Sequence, residues 1–474
     1  METLDAAAPR QPRRLAWPRF RDVVRGPRPL LRRIESLCAA RGLPLDVLRS
    51  ALQVYAIRLV GAALTYAATI VLARSLGTRE FGIYAYVFVV ASLMGIAFSC
   101  GFNASALRFV ASYRSAGRLR RLSGFLRRSF GATVALSTVG AAASIALVCA
   151  FRERLDPDYF LPALVGLASV PVWTLLNQLG ATARAFGWVQ VAYAPEYVLR
   201  PLLLVALFGA LVAWGAAADA VAALWAATIA CAAAVLVQGW LVCRRLPSRL
   251  REARPVFHTR RWFAVSLGFF VIDGLRMLLD NADILLIGKL MDPHSVAVYF
   301  AVVRTTSFVA FISFSVMALA VPKFAEIHAT GTRTELQRLV TQVIHLMFWP
   351  SLLAAGALAL AGPFVLMLFG ADFRAGYPAL LVVLAGFMLR AALGPVEYLL
   401  NMTGHHRDTI RVYAVAAATD VVLNLLLIPM LGIVGAALAS QLALLGASVA
   451  LCVLVRRRLG LDAFIHPVGA MKES

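Results

Sequence analysis

The sequence predicts an all-α polytopic membrane protein, with about twelve transmembrane helices in two six-helix lobes and both termini cytoplasmic. Three observations predict it. The 474 residues are 61% hydrophobic and only 15% charged, against roughly 45–50% and about 25% for a soluble domain. Long apolar stretches alternate with short connections from residue 51 onward. The basic residues crowd into every second connection. An ordinary soluble enzyme, a disordered chain and a small disulfide scaffold are all excluded by this composition.

A spanning helix needs about 20 apolar residues, whereas transmembrane strands would be about 10 residues long and alternating. Twelve stretches of the helical kind are read at 51–75, 82–107, 128–151, 159–181, 196–214, 220–243, 263–288, 297–320, 341–361, 378–400, 411–428 and 433–455. They imply a basic cytoplasmic segment at 1–50, an N-lobe at 51–243, a cytoplasmic linker at 244–262, a C-lobe at 263–456 and a cytoplasmic tail at 457–474.

The first segment carries eleven arginines and no long apolar run, so it is no cleaved signal peptide. Leu30, Ile34 and Leu37 share a helical face. Two readings fit: an interfacial helix on an anionic leaflet, or a disordered basic tail.

The connections at 108–128, 182–195, 244–261, 321–340 and 401–411 hold twenty basic residues, and the two at 108–128 and 244–261 hold seven each. The alternate connections at 76–81, 152–158, 215–219, 289–296, 362–377 and 429–432 hold five: Arg79, Arg152, Arg154, Lys289 and Arg374. Short loops rich in Arg and Lys stay in the cytoplasm. This fixes the orientation and accounts for the net charge of +22, carried by 43 arginines and three lysines. Nucleic acid is therefore not expected as a partner.

The halves repeat weakly. Leu76-Gly77-Thr78-Arg79-Glu80-Phe81-Gly82-Ile83-Tyr84 lies over Met291-Asp292-Pro293-His294-Ser295-Val296-Ala297-Val298-Tyr299 at an offset of 215, which also carries Arg108-Phe109 onto Lys323-Phe324. Each copy is an outside loop, a span and a basic inside loop, so the repeat is parallel, as in two-lobe carriers.

Charges within spans are costly and rarely face lipid. Asp273, Arg276, Asp280 and Asp283 fall on one stripe of the seventh span, an arc of about 80° at 100° per residue. Arg58, Thr65 and Thr69 share a stripe of the first span, and the repeat lays Arg58 over Asp273. Both first helices would then face one central space. Arg304, the Arg390–Glu397–Asn401 face and the Asp420/Asn424 pair complete the set. Each charge reads either as part of a wet path or as an ion pair stitching helices together. Glu196 and Arg200 read as an i,i+4 ion pair at the membrane surface.

No Walker P-loop, no H-E-x-x-H and no Cys/His cluster occurs, and the six cysteines form no C-x-x-C pair. His405-His406 reads as solvated. No cofactor, no metal and no catalytic residue are expected. No outside connection is long enough for a catalytic domain, which favours a carrier over an enzyme.

Several stretches resemble the polysaccharide transport family of oligosaccharide-lipid flippases, which includes the O-antigen flippases. They are residues 72–84 and 106–111, then Asn281-Ala282-Asp283-Ile284-Leu285-Leu286-Ile287-Gly288, Pro322-Lys323-Phe324, Asn401-Met402-Thr403-Gly404, Leu423-Asn424-Leu425-Leu426-Leu427-Ile428-Pro429 and Gly432-Ile433-Val434-Gly435-Ala436. Together they cover about residues 51–460. Met291-Asp292-Pro293 departs from the Leu-Gly-Pro frequent in relatives. The resemblance implies the multidrug/oligosaccharidyl-lipid/polysaccharide (MOP) exporter fold in a bacterial inner membrane. It implies transport of a polyprenyl-diphosphate-linked oligosaccharide, beside membrane lipids and a polysaccharide polymerase and glycosyltransferases as partners. No sugar-reading motif carries over.

For such a cargo Arg58, Arg276, Arg304 and Arg390 are the candidates for the anionic head group, because the planar guanidinium binds phosphate oxygens bidentately. Asp273, Asp280, Asp283 and Asp420 are the candidates for ion coupling or gating. The alternatives are a cation-coupled multidrug antiporter, a membrane polysaccharide polymerase or ligase, and a major-facilitator carrier. The loop signature of the last is only faintly echoed at Gly117-Arg118-Leu119-Arg120-Arg121.

Overall fold

The computed structural model describes residues 45–465 other than Leu155, Ala216 and Gly404. The proposed basic interfacial helix around Leu30, Ile34 and Leu37 lies outside the described residues, as does the end of the tail. The chain divides into two units, Met1–Val54 and Tyr55–Ser474. Both halves of the repeat and every cavity described below belong to the second unit.

The described residues form helices and no strands. α1 (Leu45–Ser99), α2 (Phe102–Ser115), α3 (Leu119–Ala150), α4 (Pro157–Phe186), α5 (Val189–Ala194), α6 (Arg200–Ala213) and α7 (Ala220–Arg245) make up the N-terminal half. A short α8 (Ser248–Glu252) comes next. The second half holds α9 (Thr259–Leu290), α10 (Pro293–Thr330), α11 (Arg333–Met367), α12 (Tyr377–Ala392), α13 (Val396–Met402) and α14 (His406–Leu459). Lipid offers the backbone no hydrogen bonds, so a chain this apolar must satisfy its N–H and C=O groups inside helices.

Ten helical stretches among the described residues are long and apolar enough to cross a membrane. Two of them, of 47 and 53 residues, are far longer than one crossing at ~1.5 Å per residue requires. Each contains one break: Gly77 at φ 73° in α1, and Gly432 at φ 59° in α14. Both sites need a left-handed backbone, which glycine adopts without steric cost. They coincide with the outside connections expected at 76–81 and 429–432.

The repeat is visible in where helices start and stop. Asp292, which lies over Gly77, separates α9 from α10 and caps α10 by accepting from Ser295 N at 3.0 Å. Hydrogen bonding to Ser295 holds its carboxyl below the usual carboxylate range. Such caps satisfy amides that a helix leaves orphaned. Asp156 and Asp219 do the same for α4 and α7, and Thr332 with Glu335 forms a capping box on α11. The halves differ in detail. Cys100–Gly101 breaks α1 from α2, whereas α10 runs on, and Gly394 at φ 70° breaks α12 from α13, whereas α4 runs on.

Apolar burial drives little helix association in lipid; close approach does. The halves meet through small residues at both ends. At the Gly77 end, a side chain on Gly82 would strike the Pro293 carbonyl, and one on Gly288 would strike the Tyr86 ring. Phe81, Phe300, Phe369 and Phe373 fill the space around them. At the arginine-rich end, Gly101 lies against the Ser266 carbonyl, Ser266 Oγ donates to Ser105 Oγ at 2.7 Å, and Trp262 Nε1 donates to Tyr113 OH at 3.0 Å.

Candidate functional site: two cavities and a buried acidic cluster

The seventh-span stripe divides. Asp273, Arg276 and Asp280 line a cavity of about 260 Å³ between the halves, opposite Asn103, Trp173 and Asn177. Asp283 is absent from this lining and is buried inside the second half. The ion-pair partner of Arg276 is neither neighbouring aspartate. Its Nη1 lies 3.3 Å from Glu397 Oε1, and Glu397 Oε2 accepts from Tyr413 OH at 2.6 Å. The break at Gly394 separates α13 from α12, and Glu397 and Arg390 take different partners on its two sides. Arg390 donates to Gln441 Oε1 at 3.1 Å, and its Nε is buried without a hydrogen-bond partner among the described residues.

A second cavity, of about 80 Å³, lies within the N-terminal half and is closed by α10. Arg200 and Arg304 both line it, with Tyr84, Thr65, Ser169 and Thr228. No carboxylate lines it, and neither arginine forms an ion pair among the described residues. Arg304 rests on the Phe300 ring, its Cζ 4.6 Å from the centroid. The Glu196–Arg200 ion pair expected from their spacing is not formed. Pro195–Leu199 is a π-turn, and this wider turn removes the one-turn stacking of residues four apart. Arg200 instead lines the cavity together with Arg304.

Arg58 lines neither cavity. Its Cζ sits 4.1 Å from the Phe314 ring centroid and 5.5 Å from that of Tyr197. A guanidinium on an aromatic face is held by the ring quadrupole. The expected alignment of Arg58 with the α9 stripe around one central space is therefore not found, although Thr65 does line a cavity.

The acidic cluster joins α9, α10 and α14. Asp283 Oδ1 accepts from Ile284 N at 2.8 Å, and its Oδ2 accepts from Tyr299 OH at 2.5 Å and Ser440 Oγ at 3.4 Å. Asp420 Oδ1 accepts from Asn424 Nδ2 at 2.9 Å. Asp420 Oδ2 and Asn424 Oδ1 are buried with no hydrogen-bond partner within 3.5 Å among the described residues. Acceptors thus outnumber donors in a dry setting, where an unsatisfied acceptor costs about 1–3 kcal/mol. Tyr299 lies over Tyr84 at the 215 offset. One repeated tyrosine therefore serves an acidic cluster in one half and borders an arginine cavity in the other.

Sequence reasoning assigned Arg200 to a surface ion pair with Glu196, and did not single out Tyr84, Tyr299 and Ser440 as site residues. The two tyrosines carried a signal, since the repeat aligned them. Arg200 carried its charge and its spacing from Glu196, which pointed to the wrong partner; Ser440 carried no signal.

The fold is that of multi-pass membrane transporters of the MOP superfamily. Three solved structures illustrate the likeness. An inward-facing multidrug resistance MATE family transporter of that superfamily is 16% identical with a TM-score of 0.72, covering 86% of this chain and 98% of that one. The lipid II flippase MurJ in an inward closed conformation is 12% identical with a TM-score of 0.66, covering 85% and 87%. A MOP transporter from Pyrococcus furiosus with a binding pocket of reversed polarity is 14% identical with a TM-score of 0.59, covering 87% and 95%. No curated protein matches. The profile of the polysaccharide biosynthesis protein family matches residues 47–328. The chain belongs to that family.

Proposed function

We propose that this protein carries an oligosaccharide linked to a polyprenyl diphosphate from the inner to the outer leaflet of a bacterial inner membrane, for surface polysaccharide synthesis. The observation that carries the reading is the pair Arg200 and Arg304, two guanidinium groups in a membrane-embedded cavity with no carboxylate on its wall. Buried charges are normally paired, so this cavity calls for an anion from outside the protein. A diphosphate cannot cross about 30 Å of hydrocarbon without cations along its way. Arg58 and Arg390, which form no ion pair among the described residues, extend the path. Arg276 joins it by exchanging Glu397 for phosphate, and this exchange makes its ion pair a gate. Asp273 and Asp280 sit beside that gate. Asp283 and Asp420 take the coupling cation, whose oxygen ligands would include the two unpartnered acceptors. A polymerase and glycosyltransferases supply and consume the cargo.

The same reading takes α1 and α14 each as two crossings at their glycine breaks, giving twelve spans, with lobes at 51–243 and 263–456 joined by a linker at 244–262 and both termini in the cytoplasm. Reporter fusions after residues 115, 250, 330 and 460 are expected to report the cytoplasm, and fusions at 155, 294 and 370 the outside. The same side for 250 and 294 would overturn the lobe assignment.

Function is tested by deletion. Surface polysaccharide is expected to be lost and lipid-linked glycan to accumulate on the inner leaflet, with both restored by expression. Intact surface glycan together with hypersensitivity to cationic drugs would favour a multidrug antiporter instead.

A further inference from the structure

On the membrane-facing side of the N-terminal half, α3 and α7 both pack on α4. Between them runs an apolar groove of about 530 Å³. Phe130, Leu175, Leu236 and Trp240 line it, over a floor of buried Leu179 and Val242. Gly239 keeps it open: a side chain there would meet only Leu179 Cδ1, at 3.8 Å.

At one end the apolar wall gives way to arginine. Arg127 is itself part of the lining. Its Nη2 donates to the Arg251 carbonyl at 3.2 Å, and the Arg251 side chain donates to the Cys243 carbonyl in the last turn of α7. Arg244 lies over the Trp240 ring, its Cζ 4.1 Å from the centroid. Arg127, Arg244 and Arg251 form no ion pair among the described residues. The two stretches that meet here, 108–128 and 244–261, contain a single acidic residue, Glu252, against fourteen basic ones.

An apolar trough, an indole at its end and unpaired guanidinium groups beyond match a molecule with long apolar chains and an anionic head. We propose that this groove binds an anionic phospholipid of the surrounding bilayer, its acyl chains along Phe130, Leu179 and Leu236 and its phosphate between Arg127 and Arg244. A zwitterionic head would bring its own cation to the arginines, so the groove selects for net negative charge. Basic clusters beside spanning helices attract anionic lipid in this way, and tryptophan anchors at the same depth.

Occupancy has a mechanical consequence. The 244–261 stretch joins the two halves and is pinned to α3, where Val256 N donates to the Arg120 carbonyl at 3.0 Å and Gly124 lies against the Val256 backbone. A lipid bridging α3 and the end of α7 stiffens that junction and links lobe movement to bilayer composition. The ligand is a resident lipid and not the transported molecule, so the inference stands or falls separately from the flippase reading.

The test uses the full chain in nanodiscs of phosphatidylglycerol or phosphatidylcholine, followed by native mass spectrometry after graded delipidation and by thermal melting. The wild type is expected to retain phosphatidylglycerol about tenfold more strongly than phosphatidylcholine and to melt higher with it. The Arg127→Gln/Arg244→Gln double variant is expected to lose that preference. Gly239→Leu, which fills the groove, is expected to lose retention of either lipid while its helical circular dichroism is unchanged. Equal retention of the two lipids by the wild type overturns the proposal. So does undiminished phosphatidylglycerol retention in whichever variant folds.

Discussion

Alanine at Arg304 is expected to cut glycan export about tenfold or more at matched protein level, and alanine at Arg200 to do the same. A hydrogen bond to a charged group contributes about 1.5–3 kcal/mol, and each 1.4 kcal/mol is about tenfold in an equilibrium. Each arginine can offer phosphate a bidentate pair. Lysine at either position should restore export partly, because it keeps the charge and loses the fork. No second substitution should rescue these variants, since no carboxylate lines the Arg200–Arg304 cavity. Arg276 provides the contrast. Its partner Glu397 lies 3.3 Å away, so Arg276→Ala leaves that half-buried carboxylate without its cation. Adding Glu397→Gln should recover much of the lost export if Arg276 works as a gate. Adding Asp273→Asn or Asp280→Asn should recover little, because neither aspartate pairs with it within ion-pair distance. The measurement is surface glycan and stranded lipid-linked glycan for each single and double variant. Full export from the Arg200→Ala/Arg304→Ala double variant would end the cationic-cavity reading.

Much of the fold was legible because hydropathy and charge act over whole spans. An apolar run of twenty residues leaves one structural option in lipid, and glycine at 77 and 432 marks where a helix can break. The repeat was legible at the outside loops, where Tyr84 and Tyr299 align. The site was legible only in composition. Which arginines meet depends on local departures from regular helix, and these carry weak sequence signals. The π-turn at Pro195–Leu199 re-aims Arg200, and the break at Gly394 carries Glu397 to Arg276. The α9 stripe was read correctly as one arc of a cylinder. What the cylinder touches changes along its length, however. Asp273, Arg276 and Asp280 meet the other half, while Asp283, further along, meets Tyr299 of α10 and Ser440 of α14.

That separation of Asp283 from the cavity leads to the second large effect. Asp283→Asn and Asp420→Asn are each expected to abolish the response of export to an imposed cation gradient, with membrane level unchanged. Asparagine keeps the shape of aspartate, removes the charge and replaces one acceptor oxygen with a donor nitrogen. The cluster has two carboxylates, the Asn424 carbonyl and three side chains able to donate: Tyr299, Ser440 and Asn424. Two buried acceptors, Asp420 Oδ2 and Asn424 Oδ1, have no hydrogen bond within 3.5 Å among the described residues. A cation bound there would meet both and offset two negative charges in a dry interior, the setting in which an uncompensated charge is most costly. Because the cluster bridges α9, α10 and α14, binding would tie these helices together and favour one arrangement of the second half over another. Coupling requires such a difference in affinity between states. Tyr299→Phe should act more mildly. It removes one donor to Asp283 and should shift the cation concentration for half-maximal export by about tenfold while leaving the maximum intact. The decisive measurement is export against sodium and proton gradients imposed separately on the wild type, the two asparagine variants and Tyr299→Phe. An undiminished gradient response in both asparagine variants would exclude this cluster as the coupling site and shift attention to Asp273 and Asp280, the carboxylates that face the cavity between the halves.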